Sequence, residues 1–170
     1  MSVDVTGLGL AFGSVRDGQQ WAGRHSERKR AWFPIDRSMV LNYCALVEDG
    51  NPRYWDGDEC PPGLLMTLGF EPPWIPEGRP QEGGLFTLSV PLPGRHIINA
   101  STTTEIERRP RVGDHVSVEE EIVSVSDEKT TRLGTGVFIT SLSTYRDQNE
   151  QVIARNTNVL FRYDVPEETA

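Results

Sequence analysis

Residues 85 to 163 constrain the fold more than any other part of the chain. Five stretches rich in β-branched residues follow one another there, at 85–92, 97–107, 116–126, 130–146 and 152–163. Val116, Val118, Glu120 and Ile122 share one parity, as do Val137, Ile139, Ser141, Ser143 and Tyr145. Successive side chains of a strand point to opposite faces, so a period of two marks strands that cover something on one side. Residues 146–150 (RDQNE) are a polar break suited to a hairpin, and 110–114 (PRVGD) a turn feeding a strand near His115.

Ahead of the strands the spacing is helical. Asp36 is placed to cap a helix on which Met39, Val40, Tyr43, Leu46 and Val47 share a face. Gly50 is placed to stop that helix in a left-handed conformation, and Pro52 bars its continuation. A second helix opens on Pro61, Pro62 and Gly63 and runs through Leu64, Leu65, Met66, Leu68 and Phe70. Proline costs little at a helix start, because the first amide protons have no intrahelical partner. A short helix apolar nearly all round belongs in a core, as when a curved sheet wraps it. Helices followed by antiparallel strands predict one α+β domain over residues 1–170, with a Gly-rich arm at 1–30 and a core at 31–165.

A net charge of −8 argues against nucleic acid or an anionic membrane as partner, since both favour a basic face. The basic run 24–30 reads as a solvated surface turn in preference to a phosphate site. Residues 1–12 lack a signal-peptide pattern, and no apolar run approaches the ~20 residues of a membrane span. Cys44 and Cys60 have neither metal spacing nor a disulfide framework, so a reducing, cytoplasmic setting is expected. Neither a clustered metal-ligand set nor a Gly-rich nucleotide fingerprint is present, and no metal or redox cofactor is expected.

Residues 43–68 (YCALVEDGNPRYWDGDECPPGLLMTL) join the two helices through Asp49, Asn51 and Pro52. That segment, followed by the Pro-Pro-Gly helix, a long loop and strands with a Pro-Arg-Val-Gly-Asp turn, resembles the N-terminal domain of MaoC-like dehydratases over about residues 34–163. The resemblance implies a hot-dog fold, a curved antiparallel β-sheet wrapped around a central α-helix. It also implies hydration of an enoyl thioester by an Asp-x-Asn-Pro-x-His segment. Here Tyr54 stands at the histidine position, Glu48 stands where the motif often has glycine, and 13 residues separate Asp49 from Gly63. The likeness is to degenerate members that form one half of a double hot dog in steroid or fatty acyl-CoA metabolism.

Adding water to an enoyl thioester requires a base for the water, an acid for the α-carbon and donors for the developing enolate oxygen. A phenol with a reference pKa of ~10 does not replace imidazole as a base at neutral pH. The expected function is therefore a non-catalytic or incompletely catalytic hydratase subunit. It would pair with a second MaoC-like hot-dog chain, or with itself, as a double hot dog or a dimer of such dimers. The bound molecule would be a bulky acyl-CoA thioester, a substrate and no cofactor. The alternative is a self-sufficient homodimeric hydratase or thioesterase that uses Asp49, with His96 as the one histidine placed to help. His25 and His115 read as solvent-facing. The resemblance also implies substrate contacts from Pro62, Gly63, Trp74 and Arg95, with Arg108, Arg109 and Arg111 as further phosphate partners. Surface or core roles explain the same residues, and Trp55 and Trp74 suit core or subunit contacts.

Overall fold

A computed structural model describes residues 9–68, 76 and 85–165. Its order is α1 (Val15–Gln19), β1 (Lys29–Arg30), α2 (Arg37–Leu46), α3 (Pro52–Trp55), a 3-10 turn (Pro62–Leu64) continuing into α4 (Leu65–Leu68), a second 3-10 turn (Phe86–Ser89), then β2 (His96–Ile106), β3 (Ser117–Val125), β4 (Lys129–Thr131), β5 (Gly134–Arg146) and β6 (Val152–Asp164). The strands form one antiparallel sheet in the order β1-β3-β5-β6-β2, with β4 paired to β5.

Two buried clusters hold the helices to the sheet. In the first, Val40 and Cys44 of α2 meet Tyr54, Leu64, Leu65 and Leu68, and the sheet supplies Val116, Tyr145, Ile153 and Ala154. Adjacent residues Ile153 and Ala154 both enter this core because the β5–β6 register slips there. Arg146 pairs with Val152 and Tyr145 with Ala154, leaving Ile153 as the extra residue of a bulge. The second cluster joins Ile122, Val137 and Ile139 to Val90 and Leu92, with Val15 and Trp21 of the arm packed against it. The arm is thereby sewn to the sheet. Gly13 donates to Leu92 O at 3.4 Å, and Gly23 to Ile122 O at 2.7 Å.

Four details depart from the sequence-based expectation. Residues 85–92 are not a strand. They make the 3-10 turn, whose Phe86 and Thr87 amides donate to the buried Glu120 carboxylate at 3.0 and 3.2 Å. Residues 130–146 are a hairpin of two strands, folded back at Gly134. Gly134 has φ +144°, and a Cβ there would lie 2.0 Å from Asp164 O, so only glycine fits. The α2 helix buries Val40 and Cys44, whereas Leu46 and Val47 are exposed at 84% and 53%. Finally, the left-handed residue after α2 is Glu48 (φ +56°), not Gly50.

Candidate active site

The segment between α2 and α4 is built from short caps. The Asp36 carboxylate accepts from Met39 N at 2.9 Å and starts α2. At the other end Asp49 N donates to Cys44 O at 2.9 Å, closing the turn through Glu48. The Asp49 carboxylate accepts from Asn51 N at 3.0 Å, and the Asn51 side chain accepts from Arg53 N at 3.1 Å as the cap of α3. Pro52 takes the first helical position, where its missing N–H is no loss. Trp55 Nε1 donates to Asp49 O at 2.7 Å, so the half-buried Asp49 is tied at both its backbone and its side chain. Arg37 fastens the end of α3 by donating to the carbonyls of Tyr54 (2.7 Å), Trp55 and Gly57 (2.5 Å).

Beyond α3 the chain is pinned to the 110–114 turn, with Cys60 N on Pro110 O at 2.8 Å and Val112 N on Asp58 O at 2.9 Å. Burial, with Asp114 and Asp58 adding to it, pushes the Cys60 thiol up to about 12, and burial raises Cys44 as well. Both are buried free thiols that pack in the core. Pro62 and Gly63 lie in the 3-10 turn that opens α4. Gly63 does not lie at positive φ. Its missing side chain leaves room instead, since a Cβ there would meet Tyr43 Oη at 2.1 Å and Cζ at 3.1 Å.

Asp49 is joined to Asn51 by a hydrogen bond, Tyr54 shares a buried cluster with Leu64, and Gly63 lies against Tyr43, which packs on the same cluster. Sequence reasoning placed Tyr43 on the apolar face of α2 but gave it no part in the site. Tyr54 is buried at 5% exposure among Val40, Cys44 and Leu65, so its ring is a core element. Trp74 lies outside the described residues. Arg95 is exposed at the head of β2, where its backbone N–H donates to Asp164.

His96 is elsewhere. It pairs with Tyr163, their ring centroids 5.4 Å apart, and Tyr163 pairs with Gly136 of β5. The Tyr54 cluster instead meets β5 at Tyr145, nine residues along (136 to 145), roughly 30 Å of strand. His115, expected to face solvent, is half-buried, with Nε2 2.7 Å from Ala31 O. His25 is exposed and 3.6 Å from Glu119, as its surface reading suggested. The remaining arginines are engaged: Arg108 with Asp114 and Asp147, Arg109 with Glu59, and Arg111 with Asp58. Among the described residues no group of His, Cys, Asp or Glu is clustered to hold a metal, and no helix is long and apolar enough to cross a membrane.

Residues 20–156 match the family described as FAS1-like, dehydratase domain region. The chain belongs to that family. This FAS1-like dehydratase domain is 34% identical over 162 residues to a probable enoyl-CoA hydratase alpha subunit of Thermomonospora curvata. That match covers 85% of the chain but 50% of the relative, so the domain spans about half the length of the curated protein it matches. Among solved structures it is similar to a chain of the ChsH1-ChsH2 complex from Mycobacterium tuberculosis, with TM-score 0.70 and 18% identity over 89% of this chain and 95% of that one. It is also similar to the MaoC-like dehydratase of Rhodospirillum rubrum, with TM-score 0.57 and 16% identity over 85% and 94%. The fold of this FAS1-like dehydratase domain is the hot dog, as the segment order and the antiparallel sheet implied.

Proposed function

We propose that this chain is the non-catalytic, or incompletely catalytic, half of an enoyl-CoA hydratase. A second hot-dog chain would supply the working aspartate and histidine. One observation carries this: none of the three histidines forms a hydrogen bond or an ion pair with Asp49, and the Asp49 carboxylate is engaged by Asn51 N. A carboxylate without its imidazole lacks a group that contributes on the order of 100- to 10000-fold to proton transfer.

The sheet supports a partner chain. β2 is its last strand, 11 residues long, and from Ile98 to Ile106 every residue is exposed. A long edge strand leaves a row of backbone donors and acceptors open to pairing. Leu46, Val47 and Trp55 add exposed apolar surface beside the Asp49 loop. The similarity to a hydratase alpha subunit and to a chain of a two-component complex agrees with such an assembly. The substrate in this reading is a bulky acyl-CoA, a fatty acyl chain or a steroid side chain, whose reacting carbons lie in the partner's half.

The test is hydration of crotonyl-CoA by the purified chain, alone and co-purified with its partner. Turnover only in the complex, surviving Asp49→Ala, supports the proposal. Brisk turnover by the chain alone, abolished by Asp49→Asn, would replace it with a self-sufficient enzyme.

A further inference from the structure

The glycine that opens the central helix is filled from within the chain. Gly63 has no backbone need to be glycine, because its φ lies outside the left-handed region. What it provides is space, and the tip of the Tyr43 ring takes that space, with Oη 2.1 Å and Cζ 3.1 Å from where a Cβ would stand. Tyr43 comes from α2, one residue before the fully buried Cys44, so its backbone is fixed by the core. Its hydroxyl makes no hydrogen bond among the described residues, yet the ring packs against the same cluster as Leu64 and Leu65. A phenol whose oxygen gains no bond there is held by shape. The ring sits at the Pro62–Leu64 turn, where the proposed reading puts the thioester.

We propose that Tyr43 closes this chain's own half of the acyl-thioester site and thereby sets which acyl groups the assembly accepts. The inference rests on the reading of the chain as the non-catalytic half and adds the residue that shuts it. Tyr43 is a specificity-determining wall: its ring tip is taken up against Gly63, and the acyl chain, lying in the partner's half, is stopped by the closed turn. Shortening the side chain at 43 opens volume beside Gly63 and admits larger acyl groups. Keeping the ring while removing its oxygen opens the least.

The experiment uses the complex with its co-purified partner and two substrates, crotonyl-CoA and a polycyclic enoyl-CoA. Values of kcat and KM are measured for the wild type and for Tyr43→Phe, Tyr43→Leu and Tyr43→Ala. The ratio of kcat/KM for the bulky over the short substrate should rise in the order Phe, Leu, Ala. About fivefold or more is expected for Ala, as one or two methylenes of pocket space discriminate about 10- to 200-fold. A ratio that stays within about twofold in folded Tyr43→Leu and Tyr43→Ala complexes overturns the proposal, since ordinary scatter between variants is of that size. So does a loss of about tenfold in kcat on both substrates with Tyr43→Phe alone, the mark of a hydroxyl that donates to the reacting oxygen. Should Tyr43→Ala not fold, Tyr43→Leu, which still fills the α2 side of the cluster, decides the outcome.

Equilibrium binding of saturated octanoyl-CoA to the same complexes separates the two readings. Tighter binding to the shortened variants with no turnover in any complex keeps the tyrosine wall and removes the hydratase assignment. Turnover in the wild-type complex with unchanged ratios and unchanged binding removes the wall and keeps the assignment.

Discussion

Arg108 reaches Asp147 across 39 residues of sequence, donating at 2.6 Å, while its guanidinium also grips Asp114 at 2.8 and 3.0 Å. One cation thus joins the end of β2, the 110–114 turn and the β5–β6 hairpin. The Asp147 side chain is 3% exposed and also accepts from Asn149 N and Gln151 N at 2.8 and 2.9 Å. Asp147→Asn leaves Arg108 half-paired and replaces an acceptor by a donor beside it. The expected cost is about 2–4 kcal/mol, the range for removing one member of a buried, charge-assisted pair. A shift of the urea midpoint at unchanged slope checks it.

The same carboxyl gives an acid limb. Burial by itself would raise the Asp147 pKa, but the Arg108 guanidinium and the Gln151 and Asn149 amides outweigh it and hold the carboxyl below its usual range. A depressed carboxyl stabilises the fold at pH above its unfolded value of about 3.9, and that stability is lost as pH falls through the native value. The wild type should lose stability below about pH 4, and Asp147→Asn should lose less over the same interval. Denaturation midpoints followed from pH 6 downward measure the difference.

An alkaline limb follows from two buried acids. Burial pushes Cys60 up to about 12, and burial together with Glu120 pushes Tyr145 up to about 12. Both are raised, so their contribution is complete below the unfolded values of about 8.5 and 10 and disappears as pH climbs toward the native ones. Stability should fall steadily between about pH 9 and 12, and Cys60→Ala should begin its decline about one pH unit later.

Pairing through the sheet edge is testable without touching the core. Thr102, exposed on β2, faces Asn158 of β6 and accepts from Asn158 Nδ2 at 3.4 Å. Thr102→Lys should change the stability of the isolated chain by less than about 0.5 kcal/mol, as surface substitutions usually do. It should also weaken association with the partner by at least about tenfold, because edge lysines oppose strand addition. Analytical ultracentrifugation with thermal unfolding reads both quantities.

Asp49 should matter to shape more than to turnover. Asp49→Ala removes the acceptor for Asn51 N and should cost about 1 kcal/mol, as the loss of a cap does. In the co-purified complex kcat should stay within about threefold of wild type, against the 100-fold or greater loss expected of a working base. Steady-state kinetics on crotonyl-CoA distinguishes the two.

Local rules carried much of the fold. Asp36 caps α2 as its position implied, and the alternation at 116–126 and the β-branched stretch 152–163 marked β3 and β6 to within a residue or two. What failed depended on distant partners. The apolar run 85–92 has strand composition, but its amides turn toward Glu120, some 33 residues on, which no local pattern reveals. The break inside 130–146 was carried by Gly134, needed for the close approach of Asp164 at the far end of the chain. For the candidate site, Asp49, Asn51, Pro62 and Gly63 could be named together from sequence because they lie on one continuous segment, 49–63. The separation of His96 was hidden, since it is set by β2–β6 register. Tyr43 reads as core from its helical spacing, and only packing shows its ring end-on to Gly63.

The outermost position of β2 has a consequence for assembly. Among the described residues its only strand neighbour is β6, with His96 opposite Tyr163, whereas β5 and β6 are joined by a tight hairpin. Short loops close before long ones, so the β2–β6 pairing, whose nearest partners Ile106 and Ala154 are 48 residues apart, forms after the β5–β6 hairpin. A partner chain that paired along this border, as proposed, would therefore engage an edge that takes shape only once the β5–β6 hairpin is in place.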